Sequence, residues 1–64
     1  MRAAVNALYA AEIREFRRRY IADATRAVVD ADYPADVVRG AAFLAGLQWA
    51  DLHPHLASRI EEAA

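Results

Sequence analysis

The chain has 64 residues, 17 of them alanine, and its charges nearly cancel: eight arginines against nine acidic residues give −1 at pH 7. These figures exclude more than one core, a fold stapled by disulfides (there is no cysteine), and a general electrostatic grip on nucleic acid, which needs a basic excess. Leu, Ile, Val, Phe, Tyr, Trp and Met together number 20, enough for a thin two-layer core but not for a buried active site as well. A chain this short buries only about 60% of the surface its unfolded form exposes. Without cysteine or a Cys/His cluster, association with another chain is the stabiliser left to it.

Residues 3–30 contain neither glycine nor proline. Val5, Tyr9, Ile13, Phe16, Tyr20, Ala24 and Ala27 fall within an arc of about 100° on a helical wheel, which predicts a long amphipathic helix. Ala10, Ile21 and Val28 form a flanking stripe. Arg14, Glu15, Arg18, Thr25 and Arg26 take the other side. Arg14, Arg17, Arg18 and Arg19, with Phe16 and Tyr20 beside them, are the strongest local charge feature. They span almost the whole circumference, and Glu12, Glu15 and Asp23 stand near enough to pair with them at i, i+3 or i, i+4. The plain reading is a solvated helix face. The sharper one makes Arg14, Arg17 and Arg18 a patch for a partner's carboxylates or phosphates, which arginine binds bidentately. An alternative reading puts the same cluster, 14–19, on nucleic acid in a small regulator.

The first break falls at residues 30–36, DADYPAD. Pro34 pushes Tyr33 out of the α region, ending the first helix near Ala31, and suits the first turn of the next. Asp36 there meets the positive end of that helix. Asp30, Asp32 and Asp36 lack the glycine and terminal glutamate of a calcium loop, so they read as a helix boundary and not a metal site. The second helix runs to about Asp51, and the segment 37–52 carries strongly polar side chains only at Arg39, Gln48 and Asp51. Val37, Val38, Ala41, Leu44, Ala45, Trp49 and Leu52 gather on a broad face expected to form the core. Gly40, Phe43 and Leu47 fall opposite. A surface helix keeps that second side polar. Phe43 and Leu47 are therefore expected to meet another chain, and Trp49 to lie in the core or in that interface, where aromatic residues dominate binding energy. Ala42 and Gly46 form a small-xxx-small pair that lets another backbone approach.

His53-Pro54 makes the second break, with a short helix after it carrying Leu56 and Ile60 inward and Glu61 and Glu62 outward. His53 and His55 lack the i, i+4 spacing of a helical metal site and are expected in solvent at the helix boundary. The single serine, Ser58, has no base placed near it, and there is no glycine-rich phosphate loop. No catalytic residue, cofactor or metal is expected, and so no enzyme. The first sixteen residues do not pattern as a signal peptide, and no run of ~18 apolar residues offers a membrane span, which points to the cytoplasm.

Together these elements predict one all-α domain over 1–64. It is an antiparallel helical hairpin plus a short C-terminal helix, completed to a bundle by dimerisation. Its acidic end, from Asp23 through Asp36, makes the molecule electrically polar along its length, so antiparallel pairing of two copies would bring basic and acidic ends together. Residues 40–54, GAAFLAGLQWADLHP, resemble a segment of short uncharacterised phage and prophage helical proteins with an AFxxGxxWADxHP-like run. Ala42, Phe43, Gly46, Trp49, Ala50, Asp51, His53 and Pro54 carry the match, over about a quarter of the chain. The resemblance implies a mobile-element origin and a helical hairpin. The expected function is a non-enzymatic protein-interaction module, homodimeric, in the role of a phage-encoded modulator of a host protein.

Overall fold

Two prolines divide the chain into three helices: α1 over Arg2–Asp30, α2 over Ala35–Leu52 and α3 over Pro54–Ala63. The structure is a computed structural model that describes residues 2–63, with side chains described for residues 7–61. Val5 and Glu62, given faces above, have side chains outside that range. At about 1.5 Å per residue, α1 alone runs nearly the length of the molecule, which measures 45 × 19 × 16 Å. The fold is all-α, as expected, with α2 returning along α1 and α3 touching both.

The end of α1 closes on its own carbonyls. The Asp32 N–H donates to the Val29 carbonyl (3.1 Å) and the Tyr33 N–H to the Val28 carbonyl (3.4 Å). This pair of bonds is a Schellman ending, which asks the residue between helix and loop to turn left-handed. That residue is Asp32, with φ 61°. Pro34 then acts as the N-cap of α2, one position earlier than the first-turn place expected of it. Its φ −56° and ψ 153° are outside the helix, and its carbonyl accepts from the N–H groups of Val37 (3.0 Å) and Val38 (3.1 Å). At the far end the His53 N–H closes α2 on the Trp49 carbonyl (2.9 Å). Pro54 opens α3, where its missing N–H leaves nothing unsatisfied.

Small residues form the seam between α1 and α2. Ala10 and Ile13 on α1, with Ala45, Gly46 and Trp49 on α2, are buried, and Trp49 is 1% exposed. Ile13, Ala45 and Trp49 are buried as expected, but other members of both expected faces are not. On α1 the buried seam runs through Ala10, Ile13 and Thr25, roughly a quarter-turn from the aromatic stripe at 100° per residue; Tyr9 and Phe16 are left exposed. On α2, Leu44, expected in the core, is 65% exposed, and Val37 and Leu52 are also exposed. The reason is steric: helices joined by a short turn settle where their backbones can come closest. At Gly46 a Cβ would stand 2.6 Å from Arg17 Nη2 and 3.6 Å from Ile21 Cδ1. The space over Gly46 is thus filled by side chains of α1 of the same chain. Thr25, expected on the polar side, is buried, and its hydroxyl donates to the Ile21 carbonyl (2.8 Å), which meets the hydrogen-bonding need of a buried polar group.

Candidate interaction site

The residues expected to meet a partner come together only in part. Phe43 and Leu47, 67% and 51% exposed, stand on the outer side of α2, as expected. With Gly46 and Ala50 they form one wall of an open groove of about 320 Å³; Ala57, Ile60 and Glu61 of α3 form the other, and Arg17 and Trp49 complete the lining. The part played by α3 was not foreseen, because its short amphipathic pattern does not show where it docks. Apart from Glu61, the polar groups here are donors. Arg17 makes no ion pair or hydrogen bond with a described residue. Trp49 Nε1 is buried with no hydrogen-bond partner.

The other arginines behave differently from one another. Arg18 grips Glu15 bidentately, Nε to Oε2 at 2.8 Å and Nη2 to Oε1 at 2.6 Å, and Arg19 Nε adds a third bond to Oε1 at 3.2 Å. The Arg18 hydrogen bonds, above all, lower the Glu15 carboxyl from 4.5 to about 2, against some desolvation that opposes them. The same contact raises the pKa of Arg18. Arg26 lies 3.6 Å from Asp23. Arg14 is exposed, with no ion pair to a described residue. Arg14, Arg17 and Arg18 therefore do not act as one patch: Arg18 is engaged on its own helix, and only Arg17 reaches the groove.

His53 departs from its expected solvent position. It is half-buried, its ring 5.0 Å from Phe16 and 5.5 Å from Trp49, while Phe16 meets Trp49 edge-on at 6.0 Å and 70°. The signal was available: His53 follows Trp49 by four residues and so shares its helix face. His55 is exposed. Among the described residues no group of three or more His, Cys, Asp or Glu is placed to hold a metal ion, and no helix is long and apolar enough to cross a membrane. Compared with protein-family models, curated proteins and solved structures, the chain matches none.

Proposed function

We propose that this chain is a non-enzymatic protein-interaction module of the cytoplasm, homodimeric, that holds a further protein in the groove between α2 and α3. A phage-encoded modulator of a host protein is the role in keeping with the resemblance of residues 40–54. The observation that carries the reading is the groove itself. It is lined by an arginine without an ion pair to a described residue and by the exposed apolar side chains of Phe43 and Leu47. A guanidinium beside apolar walls suits a carboxylate flanked by apolar side chains, and the charge-assisted bond fixes its orientation. Aromatic and arginine side chains together are the usual anchors of protein interfaces.

The test is capture of a partner from the native host by the tagged chain. Wild-type protein should retain a discrete partner that Arg17→Glu combined with Phe43→Asp loses, with circular dichroism unchanged between the two. Equal capture by both proteins would remove the groove from the interaction.

A further inference from the structure

The misphased apolar side chains are not scattered. On α1, Tyr20 and Ala24 are rotated against the chain direction from the buried seam by roughly 60°, at 100° per residue. On α2, Val37, Leu44 and Leu52 are rotated from Ala45 and Trp49 in the same sense by roughly 90°. In two antiparallel helices, rotation in the same sense leads to the same side of the pair. These side chains therefore fall on one open side of the hairpin, with Leu47 at its edge, about 60° from Leu44, and Phe43 about 100° from it. None of the five is charged. Val37, Leu44 and Leu52 are among the exposed large apolar residues of the chain. Isolated exposed apolar residues are ordinary, but a continuous face of them marks an interaction surface.

We propose that a second copy of this chain covers that open side. Two hairpins stacked there, antiparallel, complete a four-helix bundle. The inference rests on the homodimeric reading above and assigns it a surface. Three observations select a second copy as the occupant. The chain exposes 5123 Å², whereas a compact monomer of its mass exposes about 4100 Å². The excess, roughly 1000 Å², is close to the ~800 Å² that each partner contributes to a standard interface. The radius of gyration is 13.7 Å, against about 11 Å for a compact domain of this length; a rod of that shape becomes compact by lying beside its own copy. Charge fixes the direction. Asp30, Asp32 and Asp36 crowd the turn, and Arg14 lies midway along α1, all without an ion pair to a described residue. Antiparallel stacking moves each acidic turn toward the other copy's Arg14, and complementary fields of this kind set orientation and register.

Sedimentation equilibrium on the full chain, with circular dichroism in parallel, tests the proposal. Wild-type protein and Phe43→Asp should both run at twice the 7.1 kDa monomer mass. Leu44→Asp should run at the monomer mass with its helical signal retained. Because Leu44→Asp could unfold if the hairpin alone is too weak, a second measurement uses the absence of native cysteine. The thiol of Leu44→Cys should react with a maleimide more slowly in concentrated than in dilute protein, while that of Phe43→Cys reacts at one rate in both. A dimer lost in Phe43→Asp and kept in Leu44→Asp would overturn the assigned surface and leave the homodimer standing. A wild-type monomer at every concentration would overturn both, and the groove would still be judged by its own capture test.

Discussion

Asp32 holds φ at 61°, in the left-handed region where an L side chain is strained and glycine is at ease. Aspartate tolerates the conformation better than most residues, but the Schellman geometry at Val28 and Val29 asks for no side chain there. Asp32→Gly should therefore stabilise the fold by about 0.5–1 kcal/mol, read as a higher midpoint of urea unfolding. A fall in that midpoint would show that the Asp32 carboxylate contributes something the backbone geometry does not reveal. Glu15 offers a second test at this scale. Its carboxyl is lowered from 4.5 to about 2 by hydrogen bonds from Arg18 and Arg19, so the fold favours the charged form. A depressed carboxyl pKa contributes stability that is present above the unfolded value and lost as pH falls through the folded one. The melting temperature should thus drop as pH is lowered from 4.5 toward 2, and Glu15→Gln should flatten part of that drop. Because the pair is exposed, added salt should flatten it too. An acid profile unchanged by Glu15→Gln would place the loss elsewhere.

At the scale of elements, the boundaries were legible and the rotation of the helices was not. Pro34 and Pro54 act through fixed local geometry, which any sequence window contains, so three helices and their ends could be read within a residue or two. Facing depends on what lies across the seam. A helical wheel scores apolarity, and by that score Leu44 outranks Gly46. Packing scores the distance at which two backbones can settle, and by that measure Ala10, Ala45 and Gly46 outrank Leu44, with Trp49 filling the space they leave. In a helix as rich in alanine as α2 the apolar arc is so wide that its centre is poorly defined. The two glycines of α2 separate these effects. Gly40 has nothing within 4 Å of an added Cβ, whereas Gly46 has Arg17 Nη2 at 2.6 Å. Gly40→Ala should stabilise the domain by ~1 kcal/mol through helix propensity alone. Gly46→Ala should gain less, because the Arg17 guanidinium must swing away, and it should weaken capture of any partner that Arg17 holds. Equal gains from both, with capture intact, would mean that Arg17 has no settled place over Gly46.

For the whole molecule, the question left by composition is whether its arginines serve protein or nucleic acid. Net charge argued against nucleic acid from the start, and the positions of the ion pairs sharpen that argument. Arg18 and Arg19 are both turned onto Glu15, and Arg26 lies beside Asp23. Along α1 this leaves Arg14 and Arg17 as the described arginines without an acidic partner, and they do not share a groove-reading face, since Arg17 lies over Gly46 against α2. Two phosphate contacts would release too few counterions to matter: the logarithm of affinity would fall with the logarithm of salt at a slope of only about −2. Duplex and single-stranded DNA and RNA should therefore fail to bind at ~150 mM salt. The double change Arg14→Glu with Arg18→Glu should leave the hairpin folded, because both side chains are exposed. It should nonetheless weaken capture of a protein partner, since it reverses two charges on the helix that supplies Arg17 and sets Glu15 against a like charge. Micromolar binding of any nucleic acid that is steeply salt-dependent and abolished by this double change would reverse the assignment, making the arginine cluster, and not the groove, the functional surface.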